Sequence, residues 1–338
     1  MKKLMKFYLG GAILLALPLF LTSCEGTLDD VFGEWSRPTG NNSNTDKSSD
    51  GSAIEYVEYA VSGTTATPTT KTVSEFTEWT GTVAPGNITG TYVVKGTATC
   101  TGDLTLTGDV NIILCDGASM TVTGKILTFD GSSYPYSLKI YGQSAGTGEL
   151  IVNISDGEHG IEGKEIQIHG GNLTATNTDG SFGQALYADQ NLYIYGGNVT
   201  ANSTNGQAIM VNGGTFDFYN ATLNATTTSG YSVISNTGTV GAIKINSGTV
   251  TATAGTATTV IDGKDINITN GVTKVELTNS NATLDKGDDF ISVGHSVTIG
   301  ASTLDDEGWG TNNISTHVSA ITGLSYDTTA KKLTYNPN

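Results

Sequence analysis

The sequence predicts an all-β protein that forms a right-handed parallel β-helix of about eight turns. Short segments with alternating apolar residues recur about every 26 residues, which is the pattern of a solenoid. The alternation has period two and is rich in Thr, Val and Ile, as expected for strands. With 44 Gly and only 14% charged residues in 338, the composition excludes coiled coils and long helices. The handedness follows from the right-handed crossover rule for parallel strands.

Each repeat contains three short strands, and one of them carries the clearest pattern, Ile-x-Ile-x. This strand is followed by a second of the form x-Val-Thr-Ala-x, and a shorter apolar segment precedes it. One turn has no core of its own, so the turns must stack at about 4.8 Å per step to bury their apolar side chains. The anchors of the Ile-x-Ile-x strands are Ile112, Leu138, Ile166, Leu192, Phe216, Ile243, Ile266 and Val297.

The second strand of each repeat predicts two rows of inward-facing residues. Because alternate residues of a strand face opposite sides, equivalent positions in successive turns should stack into continuous rows. We expect one row of larger residues and one row of alanines. These rows are Leu173, Val199, Leu223 and Val250, and Ala175, Ala201, Ala225 and Ala252.

The pattern divides the chain into five segments. Residues 1–23 are predicted to be a signal peptide, and residues 24–52, which are rich in Gly, Asn and Ser, a flexible tether. Open ends of a solenoid are exposed edges, so caps are expected. We assign an N-terminal cap to 53–100, the β-helix to 101–316 and a C-terminal cap to 317–338, where Leu324–Tyr326 and Leu333–Tyr335 predict a hairpin.

The first segment also predicts a lipid anchor. Three lysines precede a short apolar run that ends in Leu21-Thr-Ser-Cys24, and this ending resembles the lipobox of bacterial lipoproteins. The resemblance implies lipidation of Cys24, and the acidic residues that follow resemble those of lipoproteins sorted to the outer membrane. We therefore expect a monomer anchored in the outer membrane through lipid alone and exposed at the cell surface.

The charge narrows the choice of partner. Loss of the three lysines with the signal peptide would change the formal net charge from −16 to −19. Such a surface repels nucleic acid and anionic lipid. A negatively charged surface of this kind is compatible with binding a neutral glycan, or an anionic glycan that calcium bridges to the protein. Arg37, the chain's one arginine, lies in the tether, so the folded region lacks the usual residue for bidentate carboxylate contacts.

Several motifs resemble those of the carbohydrate-binding β-helix lipoproteins of Gram-negative gut bacteria. They include Leu104–Gly117, Leu138–Gln143 and the Ile-x-Ile-x-Gly-Gly-x-Val-Thr-Ala repeats, and the similarity covers about residues 85–300. The resemblance implies a parallel β-helix that binds plant polysaccharides such as pectin or cellulose and holds calcium. The acidic Asp-Gly-Ile element of that group is present only in altered forms, at Glu158–Ile161 and Thr259–Asp262.

The outward positions of the Ile-x-Ile-x strands supply the candidate binding residues. Four successive turns place an aromatic ring at the fourth position, and such rings could stack on successive sugars. The alternative is an aromatic stack that only fixes the register of the turns. The candidate carbohydrate-binding residues are Tyr141, His169, Tyr195 and Tyr219, with Tyr193, Gln167 and Asp217 beside them.

Closely spaced carboxylates give a candidate calcium site. Asp285, Asp288 and Asp289 lie in one predicted turn, where backbone carbonyls could complete the coordination. The alternative is a solvated acidic turn.

Asp288-Asp289 and Gly294-His295 also resemble motifs of β-helix polygalacturonases, but the companion Arg-x-Lys motif is absent.

The two cysteines that follow the predicted tether leave two alternatives. Cys100 and Cys115 lie in successive segments and could form a disulfide after secretion, or they could be separately buried thiols.

Taken together, the sequence predicts a surface lipoprotein that binds polysaccharide, plant or host glycan, without cleaving it. The first alternative is a structural or adhesive surface protein with a protein or host-glycan partner. The second is a polysaccharide lyase or glycoside hydrolase, in which paired carboxylates would act as acid and base. No catalytic residue is assigned.

Overall fold

The protein is a parallel β-solenoid, as the sequence predicted. A computed structural model describes residues 52–128, 133–239, 241–257, 259–281, 289–305, 309 and 314–337. Within this part of the chain the strands form one 23-stranded sheet and one separate two-stranded sheet, and residues near the C-terminal end form a short helix, α1 (Ile314–Ala320).

The two-stranded sheet is a hairpin of β1 (Ile54–Ser62) and β2 (Thr65–Val73). The strands are antiparallel, with Ile54 opposite Val73 and Ser62 opposite Thr65. Gly63 in the turn has a φ of 62°, a left-handed conformation that glycine adopts without steric cost. This hairpin does not pair with the solenoid sheet.

The solenoid has three faces, and each turn contributes one strand to each face. The first face contains the short strands β7 (Ile126–Leu127), β14 (Ile209–Val211) and β17 (Ile234–Asn236). The second contains the Ile-x-Ile-x strands, among them β8 (Leu138–Gly142), β15 (Phe216–Phe218) and β18 (Ala242–Ile245). The third contains β6 (Ser119–Thr123), β9 (Glu149–Ile154), β11 (Asn172–Asn177), β13 (Asn198–Ser203), β16 (Ala221–Thr227), β19 (Gly248–Ala254) and β21 (Val272–Asn279).

Longer strands bend through a corner and serve more than one face. At the N-terminal end these are β3 (Thr77–Val83), β4 (Gly86–Thr101) and β5 (Leu104–Leu114). Further along they are β10 (Ile161–Ile168), β12 (Leu186–Ile194), β20 (Ile261–Ile268) and β22 (Ile291–Ile299). The C-terminal part adds β23 (Ser302–Asp305), β24 (Leu324–Asp327) and β25 (Lys332–Tyr335).

The register confirms seven of the eight predicted anchors and corrects the first. From Leu138 to Val297 each anchor stands opposite the next in consecutive turns. Leu138, however, pairs with Val110, whereas Ile112 pairs with Ile140. A slip of two residues leaves every side chain on its predicted face, so the pattern of alternation alone could not detect it.

Both predicted inward rows are present on the third face. Leu173, Val199, Leu223 and Val250 pair in consecutive turns, as do the four alanines two residues later. All eight residues are at most 1% exposed. They form one continuous apolar core with the anchors of the second face.

The corner between the second and third faces requires small residues. Gly197 has a φ of 85°, and a Cβ at this position would lie 2.3 Å from the carbonyl oxygen of Gly171 in the preceding turn. Successive turns therefore approach each other here more closely than any side chain allows.

The two ends differ in pairing. Parallel pairing begins at β3 and β4, so the solenoid includes part of the segment 53–100 that was predicted as a separate cap. At the other end β24 and β25 form the predicted hairpin, and β25 also pairs antiparallel with β21.

Cys100 is a free, fully buried thiol, so no disulfide joins it to Cys115.

Candidate functional site

The predicted aromatic row exists as a stack of rings along the second face. Tyr141, His169, Tyr195 and Tyr219, here called the aromatic ladder, occupy successive turns. The rings of Tyr141 and His169 are nearly parallel, and their centroids are 4.7 Å apart. His169 and Tyr195 are 4.8 Å apart, and Tyr195 and Tyr219 are 5.7 Å apart. The stacking follows directly from the in-register turns.

The prediction that the aromatic ladder faces solvent is wrong, because the β1–β2 hairpin covers it. Tyr141 is 4% exposed, while His169 and Tyr219 are 3% exposed; Tyr195 is half-buried. Tyr56 of the hairpin packs its ring edge to face on Tyr141, with centroids 4.7 Å apart. The side chains point away from the solenoid core, as predicted, but another part of the chain lies on top of them.

Hydrogen bonds attach the hairpin at both of its ends. Near its start, Gln143 Nε2 donates to the carbonyl oxygen of Glu55 at 2.9 Å. Near its tip, Asn220 Nδ2 donates to the carbonyl oxygen of Ala66 at 2.7 Å. The hairpin therefore runs along the solenoid axis across the four turns of the aromatic ladder.

His169 lies at the centre of this contact and is neutral at pH 7. Burial, with a smaller effect of Lys139, lowers the pKa of His169 to about 4. Its Nδ1 lies 3.0 Å from the backbone nitrogen of Tyr59, which can only donate a hydrogen bond. Nδ1 is therefore the acceptor and Nε2 carries the proton, which it donates to Gln167 Oε1 at 3.1 Å. The histidine thus joins the hairpin to the surface beside it.

That neighbouring surface remains accessible and is here called the open row: Lys139, Gln167, Tyr193, Asp217 and Lys244. These second-position residues pair in register across successive turns and are all partly exposed. The rings of Tyr193 and Tyr195 are 5.7 Å apart and almost parallel, at 6°.

Charges of both signs lie in the open row. Lys244 Nζ lies 3.8 Å from Asp217 Oδ1. Burial raises the pKa of Asp217, and Lys244 partly opposes that effect. Burial raises the pKa of Tyr195 and also that of Tyr219, to about 12, so both hydroxyls remain hydrogen-bond donors well above neutral pH. The accessible part of the candidate site therefore combines aromatic rings with groups that can donate and accept hydrogen bonds.

A pocket opens where the hairpin ends. It has a volume of about 350 Å³ and lies beyond Tyr219, where the fourth-position row continues as Asn246 and Thr269. The tip of the hairpin brings Thr64 and Thr65 to this continuation of the row. The lining residues are Thr64, Thr65, Asn220, Asn246, Ser247, Thr269, Asn270 and Gly271.

An exposed aromatic pair on another corner was also missed. Phe182 and Tyr231, in loops between the third and first faces, are 62% and 65% exposed, and their centroids are 6.1 Å apart. Each lies beside Gly or Ser in a loop, outside the period-two pattern. Core packing does not explain an aromatic residue in a Gly- or Ser-containing loop. The sequence therefore held a signal that could have identified these two residues as an exposed surface pair.

The remaining predicted sites lie wholly or partly outside the described residues. Asp285, Asp288 and the lipidation site Cys24 belong to segments that the structure does not describe, and Asp289 is half-exposed. No group of three or more metal-ligating side chains occurs among the described residues. In the Gly294-His295 motif, which resembles one of the polygalacturonases, His295 Nδ1 lies 3.8 Å from Asp265 Oδ2.

Comparisons with known proteins give no match: neither a protein family, nor a curated protein, nor a solved structure resembles the chain significantly. In the described part of the chain, no helix has the length and apolar character needed to cross a membrane.

Proposed function

We propose that this protein binds polysaccharide without cleaving it, through the open row on the second face. The observation that carries the proposal is the pair of nearly parallel rings of Tyr193 and Tyr195, which are both only partly covered beside the hairpin. Gln167 and Asp217 lie on either side of Tyr193 in the adjacent turns.

The chemistry of the open row suits a sugar chain. An aromatic ring offers a large, rigid contact area to the apolar face of a sugar, with few torsions to restrict. Amide, carboxylate and ammonium groups can bind the hydroxyls on the sugar edge. Because these residues repeat turn by turn, the site extends along the solenoid axis. A long polymer can therefore occupy it better than an isolated ligand can.

The test is retention of the protein in gels that contain soluble polysaccharides, both neutral and anionic. Tyr193→Ala should weaken retention about fivefold, as expected for loss of one aromatic contact of about 1 kcal/mol. The matched control is Tyr231→Ala, which removes a more exposed ring on another corner. If Tyr231→Ala weakens retention and Tyr193→Ala does not, the binding surface is not the open row.

We also propose that the protein is a lipoprotein anchored in the outer membrane at Cys24 and exposed at the cell surface as a monomer. The supporting observation is the lipobox-like sequence that ends at this residue. Cys24→Ala should leave the precursor uncleaved and without lipid, because no other side chain there can form the thioether. A Cys24→Ala protein that is processed normally and stays with the membrane fraction would contradict the proposal.

One observation favours the structural or adhesive alternative. The exposed pair of Phe182 and Tyr231 is a contact surface that a protein partner could bury. Pull-down with Phe182→Ala compared with Tyr193→Ala separates the two functions. Loss of a protein partner only in Phe182→Ala would favour adhesion. The enzymatic alternative predicts new reducing ends when polysaccharide is incubated with the protein, whereas a non-catalytic protein produces none.

A further inference from the structure

The pocket at the hairpin tip is distinct from the open row and has its own chemistry. Its lining consists of the side chains of threonine, serine and asparagine together with Gly271, so no charged residue lines it. This contrasts with the open row, which contains Lys139, Asp217 and Lys244. A ligand here would be uncharged and rich in hydrogen-bonding groups.

Asn246 gives this pocket an unused hydrogen-bond donor. The residue is 4% exposed, and its side-chain nitrogen Nδ2 is buried without an acceptor. An unpaired buried donor is unfavourable, so native proteins rarely retain one without a reason. Because Asn246 also lines the pocket, a rotation of its side-chain amide would present this donor to a ligand oxygen there.

The walls of the pocket are held in place before any ligand arrives. Asn220 adopts a φ of 39°, which is uncommon for a residue other than glycine. Its backbone N–H donates to Ser247 Oγ at 2.9 Å, and its side chain binds the hairpin at Ala66. On the far side, Thr269 Oγ1 donates to the carbonyl oxygen of Asn246 at 2.6 Å. A pocket that is already ordered loses little conformational entropy on binding.

The size and the surroundings indicate the kind of ligand. At about 350 Å³ the pocket is near the lower limit for small-molecule sites, which suits a single sugar ring. A second pocket of about 270 Å³ adjoins it at Asn270 and continues past Gly300 towards Tyr335. Tyr335 donates its hydroxyl proton to Asn270 Oδ1 at 2.6 Å and so fixes the side chain shared by both pockets.

We propose that these adjoining pockets bind neighbouring units of a neutral oligosaccharide, with Asn246 Nδ2 donating a hydrogen bond to a sugar oxygen. The assignment rests on the proposed polysaccharide-binding function and specifies an uncharged sugar for this part of the surface. The hairpin contributes directly, because Thr64 and Thr65 form one wall.

The test measures binding of cellotetraose, xylotetraose, mannotetraose and tetragalacturonate to the purified protein by saturation-transfer NMR and calorimetry. At least one neutral tetrasaccharide should bind. Asn246→Asp replaces the donor with an acceptor of the same shape and should lower the affinity at least tenfold. Thr64→Trp should lower it similarly by filling the pocket from an exposed position. The matched control, Thr67→Trp, places the same ring elsewhere on the hairpin and should bind within twofold of the parent.

Three results would overturn the assignment. These are failure of every neutral tetrasaccharide to bind, preference for tetragalacturonate, or unchanged affinity in both Asn246→Asp and Thr64→Trp. Polymer retention that depends on Tyr193 but not on Thr64 would leave the proposed function intact and remove the pocket from it. Tetrasaccharide binding that depends on Thr64, without retention of any polymer, would support the pocket and contradict polysaccharide binding by the open row.

Discussion

Acidification should destabilise the protein through His169, and the size of the effect can be derived from its burial. The unfolded-state pKa of a histidine is about 6.5, whereas the pKa in the fold is about 4. The folded-state pKa is lowered, so the unfolded chain binds the extra proton and stability decreases as the pH falls below 6.5. At 1.36 kcal/mol per pKa unit, the loss is about 3 kcal/mol at pH 4.

The structural reason is the hydrogen bond from the hairpin. A protonated Nδ1 would face the backbone N–H of Tyr59, so two donors would oppose each other across 3.0 Å. His169→Gln has no titrating group and keeps a side-chain oxygen that can accept from Tyr59. Glu58, whose Oε1 is 3.5 Å from the Tyr141 hydroxyl, and Lys139 are unchanged in this variant, so the comparison isolates the effect of His169.

The assay is urea unfolding of the parent and His169→Gln at pH 7.5, 6, 5 and 4. The parent should lose about 3 kcal/mol relative to the variant between the highest and lowest pH. His159→Gln is the matched control, because burial also lowers the pKa of His159 to about 4 but its ring packs on Tyr187 instead of the hairpin. Hydrogen exchange in β1, compared at equal pH, should respond to His169→Gln only. A stability difference between parent and His169→Gln that does not change with pH would refute the reasoning.

Three further predictions concern the core, a corner and calcium. Val199→Asp should cost more than about 4 kcal/mol, because it buries an unpaired charge; unfolding by denaturant with an unchanged midpoint would contradict the register. Gly197→Ala should cost more than about 3 kcal/mol, because its φ is 85° and the added Cβ also meets a carbonyl of the neighbouring turn; the melting temperature should fall. If Asp285, Asp288 and Asp289 bind calcium, chelator should lower the melting temperature of the parent, whereas a variant with all three changed to Asn should not respond.

The inward positions of the solenoid could be predicted because two constraints agree there. The period of two selects the buried face, and stacking of the turns requires equivalent residues to align, as for Leu173 and Val199. The misaligned anchor shows the limit of this reasoning. Val110 and Ile112 are both apolar and lie two residues apart, so either alignment gives the same pattern.

The covering of the aromatic ladder could not be predicted from the repeats. Strand alternation tells which side chains leave the solenoid core, but it does not tell what lies outside. The hairpin belongs to a different part of the chain, and its contacts with His169 span 110 residues. The pocket was missed for the same reason, since Thr64 and Asn246 become neighbours only when the hairpin lies along the second face.

The orientation of the hairpin determines how it would respond to force. Its open end, where Ile54 pairs with Val73, lies near the turn of Tyr141, and its tip lies four turns further along. A pull on the chain at Ser52 loads the Ile54–Val73 pair first and separates β1 from β2 one pair at a time, instead of shearing all nine pairs together. Tension along the N-terminal segment would therefore uncover the rings in order, from Tyr141 towards Tyr219, at a lower force than is needed to unravel the solenoid.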